Sequence, residues 1–303
     1  SEATGEAALL SVSAATASGY VTLMALDARR DILRRTLEGR GLALKFARDR
    51  AEVGYTSELE LRQAEAEYEA TAQLLPQVEA QIARQENALS VLIGEPPGGI
   101  VRVGSLAALR LPPPPAVLPS ELLRRRPDIA AAEYRLAATD AQMRAARARF
   151  MPTLGISATA GAVFSDLLAD PVALWSIGGS LLAPIFDAGR LQGGLDVATA
   201  QRDQAAFAYR ATVLSAFREV EDRLALLSRL SDQKRALEAQ RTAVADAVRH
   251  ARNRYRAGYT PYIEQVDAER SLLAVELSLV QLNADELNAM IGLYQAAGGA
   301  PQG

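Results

Sequence analysis

Apolar residues recur every three or four positions along most of the chain, the spacing of amphipathic helices. Residues 6–53 read as one helix rich in Ala, Leu and Arg, with Gly19, Gly39 and Gly41 as weak points inside it. Gly54-Tyr55-Thr56-Ser57 interrupts the pattern, and Ser57 ahead of Glu58 and Glu60 is suited to cap a second helix. That helix runs to about Ile93 on Leu75, Val78, Ile82, Leu89 and Leu92, with Gln85 as a polar member of the stripe. Pro76 lies within it and predicts a kink. A Pro/Gly-rich connector at 94–118, including Pro112 to Pro115, predicts extended or polyproline-like chain. A third helical region follows at 120–149, its main helix opened by Pro127.

The period then changes from 3.6 to 2. Leu154, Ile156, Ala158, Ala160, Ala162 and Phe164 alternate with Thr153, Gly155, Ser157, Thr159 and Gly161. Trp175, Ile177, Leu181 and Ala183 alternate likewise with Ser176, Gly178 and Ser180. Residues 150–186 contain no Lys or Arg, and their charge-free runs flank Asp166-Leu167-Leu168-Ala169-Asp170. Each run is shorter than the roughly 20 residues a membrane-spanning helix needs. Two strands, at 152–165 and 173–185, each apolar on one side and small-polar on the other, match transmembrane β-barrel strands. The same pattern also fits a soluble hairpin packed on a helix.

Helical spacing resumes at 190–257, a run that would span roughly 100 Å. Val213, Phe217, Val220, Leu224 and Leu227 hold a 4/3 seam within it. Gly258-Tyr259-Thr260-Pro261 breaks the run, with Pro261 predicted at the first position of the last helix. This helix carries Leu273, Leu277, Val280, Ala284, Leu287 and Ile291, widened by Leu272, Val275, Leu279 and Leu282 until Glu286. It is predicted to fray at Gly298-Gly299. Such seams call for coiled-coil packing.

Sliding the chain by 204 residues (258 − 54) superimposes the two breaks. Gly54-Tyr55-Thr56 falls on Gly258-Tyr259-Thr260, and Ala47, Arg48 and Arg50 fall on Ala251, Arg252 and Arg254. Glu60, Ala64 and Glu65 match Glu264, Ala268 and Glu269. The architecture is therefore a duplicated helix–turn–helix hairpin. The predicted fold class is mainly α: long antiparallel coiled-coil hairpins with one small strand pair.

Composition narrows the chemistry. With no Cys and one His in 303 residues, the chain has no thiol nucleophile, disulfide, Cys-rich zinc site or multi-His metal site. The P-loop, zinc-protease and nucleophile-elbow motifs are absent. A formal charge of −3 with both signs interspersed gives no basic stripe for nucleic acid. An enzyme is not expected, nor is a cofactor.

The run Leu118-Pro119-Ser120-Glu121-Leu122-Leu123-Arg124-Arg125-Arg126-Pro127-Asp128-Ile129 resembles the outer-membrane efflux proteins, the TolC-like outer membrane factors, in their NodT-type lipoprotein branch. So does Ala145-Ala146-Arg147-Ala148-Arg149-Phe150-Met151-Pro152. Pro184-Ile185-Phe186-Asp187-Ala188-Gly189-Arg190 and Ala216-Phe217-Arg218-Glu219-Val220-Glu221-Asp222 agree, as do Arg254 to Gly258 and Asp267 to Leu272. The resemblance implies a homotrimer in the outer membrane of a Gram-negative bacterium. Strands would contribute to a shared trimeric β-barrel and long helices to a periplasmic α-barrel. It further implies service as a passive conduit in a tripartite efflux or type I secretion-like export system, with a periplasmic adaptor protein, an inner-membrane pump and outer-membrane lipid as partners.

On that basis residues 1–93 form an incomplete first hairpin, 94–118 an equatorial connector, 119–149 a helix and 150–186 the strand pair. Residues 187–297 are the second hairpin and 298–303 a tail. Branch members start with a signal peptide, a lipidated Cys, a helix and a first strand pair, so the chain reads as an N-terminally incomplete member. The alternative is a soluble periplasmic coiled-coil adaptor, which would place lipoyl-like or soluble barrel segments around a single hairpin.

By the same resemblance the tips Gly54, Tyr55, Thr56 and Gly258, Tyr259, Thr260 face the pump side and dock the adaptor, and Ile263, Asp267 and Arg270 line the pore gate. Ile263 and Asp267 are spaced i, i+4 and can point one way. Threefold symmetry would then gather Asp267 carboxylates into a cation-attracting ring. Otherwise Asp267 and Arg270 are a solvated pair worth about 0–1 kcal/mol. Tyr55 and Tyr259 are expected to pack locally at the turns rather than to bind a partner. His250, near Arg249 and Arg252, reads as a solvated helix residue, and Trp175 suits an interfacial aromatic belt.

Overall fold

The computed structural model describes residues 2–110, 112, 124–163 and 172–299. The expectations for the polyproline segment at 113–115, the start of the third helical region at 120–123, Phe164 on the first strand and the tail at 300–303 lie outside the described residues. The fold is mainly helical with one antiparallel strand pair: α1 (Glu2–Glu52), α2 (Glu58–Ala72), α3 (Leu74–Leu92), α4 (Pro127–Ala148), β1 (Thr153–Val163), β2 (Val172–Leu182), α5 (Arg190–Arg256) and α6 (Tyr262–Ala296). A 3-10 turn, Leu106–Ala108, lies between α3 and α4. Two compact units result, residues 1–127 with 216–303, and residues 128–215.

In the first unit α1 is the central helix. One flank, Leu23 and Leu33, packs on Val78, Ile82 and Leu89 of α3. Another, Val21, Met24 and Ala25, packs on Ala284 and Ile291 of α6 and on Leu106. The wide apolar face foreseen on α6 serves two neighbours. Ala284 and Ile291 meet α1, whereas Leu282, Ala289 and Leu293 meet Leu230 and Val220 of α5. Glu286, at the edge of that face, pairs with Lys234 at 2.7 Å. Gly19 is a contact point and not merely a weak one. A Cβ there would lie 2.8 Å from Leu89 Cδ2, and the half-buried carbonyl accepts a hydrogen bond from Gln85 Nε2 at 3.0 Å. This explains the polar residue in the α3 stripe.

Pro76 acts as foreseen, displaced by nearly a turn. It has no N–H for the carbonyl of Ala72, and the helix breaks there, α2 ending at Ala72 and α3 starting at Leu74. Two expectations need correction. Pro261 caps α6 from outside, at φ −71° and ψ 158°, and Tyr262 is the first helical residue. The extended conformation leaves its carbonyl free to accept from Glu264 N at 3.3 Å. Nor does α6 fray at Gly298-Gly299. Gly298 takes φ +86°, Gly298 N bonds Gln295 O at 3.1 Å and Gly299 N bonds Tyr294 O at 2.9 Å, a closed Schellman end.

Beyond α3, Arg102 fastens the chain onto the helices. It pairs with Asp27 of α1 at 2.9 Å and with Glu86 of α3. Burial works against this guanidinium's charge, but the two carboxylates outweigh it and raise its pKa.

In the second unit, Arg202 of α5 pairs with Asp140 of α4 at 3.1 Å. The Asp187 carboxylate accepts from Gly189 N at 3.2 Å and Leu191 N at 2.8 Å, starting α5. Strands β1 and β2 pair from Thr153↔Leu182 to Val163↔Val172. Directly opposed residues share a face, so Leu154, Ile156, Ala158 and Ala160 join Leu181, Ile177 and Trp175 on one side. Ser157, Thr159, Ser176 and Ser180 occupy the other, where Thr159 and Ser176 hydroxyls lie 3.0 Å apart. Every residue of both strands is exposed, so among the described residues the hairpin packs on no helix.

Candidate functional site

The two interhelical tips are built alike. Gly54 N bonds Ala51 O at 3.0 Å and Tyr55 N bonds Arg50 O at 2.8 Å; Gly258 N bonds Tyr255 O at 2.9 Å and Tyr259 N bonds Arg254 O at 2.9 Å. The glycines take φ +76° and +77°, a region in which a Cβ is strained. Behind each turn the same ion pair recurs, Arg48–Glu65 at 3.3 Å and Arg252–Glu269 at 2.8 Å. Their numbers differ by the repeat shift of 204.

The tips differ in what they bury. Ser57 caps α2 by accepting from Glu60 N at 3.2 Å, and Thr56 bonds the Glu60 carboxylate. At the second tip Thr260 is buried and its Oγ1 has no hydrogen-bond partner among the described residues. Tyr55 and Tyr259 are 77% and 80% exposed, so the expectation of local packing is wrong. The packing aromatics are instead Tyr255 and Tyr262, whose ring centroids lie 5.2 Å apart at 52° among Leu44, Ala47, Ala64 and Val266. The positive φ of each glycine turns the following tyrosine outward, and nothing in the local spacing signals this. Burial, with the Glu269 carboxylate nearby, pushes the Tyr262 phenol up to about 12. Burial and Glu60 raise Tyr255 as well.

Just beyond the second tip, Ile263 and Asp267 stand one turn apart on α6, both open to solvent, with Asp267 66% exposed. Arg270 lies on the same side, 3.5 Å from Asp267 Oδ1. Its principal partner is elsewhere. Arg270 Nε donates to Glu67 Oε1 of α2 at 3.0 Å, and a terminal nitrogen donates to the same oxygen. Glu67 Oε2 pairs at 3.0 Å with Arg40 of α1; Arg40 and Glu67 side chains are only 6% and 7% exposed. Arg40 also donates to Glu67 O at 2.7 Å and to the Thr71 hydroxyl. The hydrogen bond to Glu67, then its charge and that of Asp267, raise the Arg270 pKa. Sequence patterning finds Asp267 and Arg270 but not Arg40 and Glu67, whose burial is created by contacts between three helices. Trp175 sits on the apolar strand face opposite Ala160, largely exposed, and His250 is exposed on α5.

These features, duplicated capped hairpins and a strand pair with one apolar and one small-polar face, recur in known proteins. The family model for the outer membrane efflux protein matches residues 1–95 and 118–299. The chain belongs to the outer membrane efflux protein family. It is 33% identical over 293 residues to the cation efflux system protein CusC of Escherichia coli O6:H1, an alignment covering 94% of this chain and 63% of that protein. It is 34% identical over 293 residues to the toluene efflux pump outer membrane protein TtgC of Pseudomonas putida, covering 94% of this chain and 60% of that one. The chain thus spans about three-fifths of the length of these relatives. A crystal structure of CusC superposes with a TM-score of 0.92 at 30% identity, covering 99% of this chain and 71% of that chain.

Proposed function

We propose that the chain is a protomer of a trimeric outer-membrane efflux conduit, with β1 and β2 in the lipid bilayer and the helical hairpins in the periplasm. The observation that carries this reading is the strand pair. Each strand has eleven residues, the length a tilted membrane strand needs, and its two faces segregate apolar from hydroxyl and glycine positions. Membership of the efflux family supports the same conclusion. The adaptor alternative is disfavoured because two hairpins surround this strand pair. Residues 1–93 and 187–297 serve as the periplasmic hairpins, 94–118 as the connector between them, and 150–186 as the barrel segment.

The tips at Gly54 and Gly258 are the docking end for a periplasmic adaptor, which couples the conduit to an inner-membrane pump. Ile263, Asp267 and Arg270 form the constriction, with Asp267 giving a ring of carboxylates at the threefold axis. Relatives at 33% and 34% identity are named for cation efflux and for toluene efflux, which supports a conduit whose cargo is selected by its partners. In planar bilayers, and in a complete version of the protein that carries the helix and first strand pair of the family, Asp267→Ala is expected to raise single-channel conductance or weaken block by cations. Unchanged conductance and block would remove the constriction from this position.

A further inference from the structure

The Glu67 carboxylate is shared between two guanidiniums of unequal standing. Oε2 belongs to Arg40, which is buried and held by the Glu67 carbonyl at 2.7 Å and by Thr71, whose own hydroxyl bonds Glu67 O at 3.1 Å. Oε1 belongs to Arg270, which is more than half exposed. Glu67 therefore has a fixed position before Arg270 arrives. Arg270 faces a choice between this buried, preorganised carboxylate at 3.0 Å from Nε and the solvated carboxylate of Asp267 at 3.5 Å. Buried charges interact through a lower effective dielectric and are screened less by salt than exposed ones. An exposed i, i+3 pair contributes little, because solvent screens it. The buried partner wins.

We infer that Glu67, positioned by Arg40, sets the charge of the constriction by taking two of the Arg270 nitrogens and leaving Asp267 only the 3.5 Å contact with the third. Glu67 touches no pore-facing atom of Asp267; it is a positioning and specificity residue acting through Arg270. With Arg270 engaged by Glu67, Asp267 presents its negative charge to the lumen. With Glu67 neutralised, Arg270 is released to close fully on Asp267, shortening the 3.5 Å contact and cancelling its charge. The asymmetry of the duplication agrees. At the positions 204 earlier than Asp267 and Arg270 the first repeat carries Gln63 and Ala66, so its α2 contributes no competing pair and supplies Glu67 instead. The inference rests on Asp267 lining the pore.

The test is ion selectivity, read as reversal potential across a KCl gradient, in a trimeric channel in which these residues are preceded by a helix and a second strand pair. Asp267→Asn should lower the cation-to-anion permeability ratio. If it does not, the placement of Asp267 in the pore fails, independently of Glu67. Glu67→Gln should lower the ratio toward the Asp267→Asn value, by about twofold or more given the strength of a charge ring in a narrow path. Adding Arg270→Gln to Glu67→Gln should restore it, which a merely distorted channel would not do. Because Glu67→Gln leaves Arg40 buried without its counter-charge, the double variant Arg40→Gln with Glu67→Gln provides a charge-balanced version and should show the same fall. Asp267→Asn acting while both Glu67 variants keep wild-type selectivity would overturn the inference. So would a fall that Arg270→Gln does not reverse.

Discussion

Tyr262 ties the second tip to the first hairpin. Its ring lies against Tyr255 and shares a cluster with Leu44 and Ala64, so α1, α2, α5 and α6 all meet at it. Burial holds its phenol protonated up to about pH 12, whereas the unfolded chain releases the proton near its ordinary value of 10.0. Above that value the unfolded state binds fewer protons than the folded one, so stability falls as pH rises. The contribution is fully present below pH ~10 and is lost between about 10 and 12, amounting to roughly 2–3 kcal/mol for this shift. Thermal melts followed by helical circular dichroism should show this alkaline loss, and Tyr262→Phe should reduce it, leaving the share that Tyr255 carries. An unchanged alkaline slope in Tyr262→Phe would mean that other groups carry it. At this scale the sequence was partly legible. Asp267 and Ile263 could be placed on one side of a helix by spacing, because i, i+4 neighbours are a local property. Glu67 and Tyr262 could not. Arg40 lies 27 residues before Glu67 and Arg270 lies 203 after it, and only tertiary packing makes that carboxylate buried and shared.

Helix ends were more legible than residue roles, because Gly punctuates them. The structure extends the internal repeat beyond the tips. Gly94 and Gly298, again 204 apart, end α3 and α6 with the same bond pattern, Gly94 N to Val91 O at 3.1 Å and Gly298 N to Gln295 O at 3.1 Å. Fraying was expected at the latter because Gly-Gly is entropically costly in a helix, yet a left-handed Gly is what a Schellman end requires. Spacing could not show which neighbour each α6 stripe meets, since a periodic apolar face reveals burial but not its partner. At the tips, exposure decides where a partner can bind. Tyr55 and Tyr259 project outward, whereas Thr260 is buried. Photo-cross-linkers at positions 55 and 259 should therefore capture the periplasmic adaptor in membranes, and one at 260 should capture it poorly. Capture confined to the 94–118 connector, with none at 55 or 259, would reject docking at the tips.

For the whole molecule the strand pair is the limiting feature. Its period was legible because alternation is local, and it is the alternation that lipid and lumen would impose on a membrane strand. Its partners were not, because they belong to other strands. The described residues contain a single pair, β1 with β2, which leaves one edge of each strand without a ladder neighbour. Three such pairs give six strands, and bacterial outer-membrane barrels close at about eight or more. An open edge within the hydrocarbon would leave backbone groups unpaired at a cost on the order of several kcal/mol each. The apolar face bearing Leu154, Ile156, Trp175, Ile177 and Leu181 would then face water or aggregate instead of lipid. A polypeptide of only these 303 residues is accordingly expected to yield no heat-resistant trimer in the outer membrane, and the same residues preceded by a helix and a second strand pair are expected to yield one. Both are scored by gel mobility of unheated samples and by conductance after reconstitution. Conducting, heat-resistant trimers from the 303-residue polypeptide would show that its sheet edges find partners within three copies of this chain.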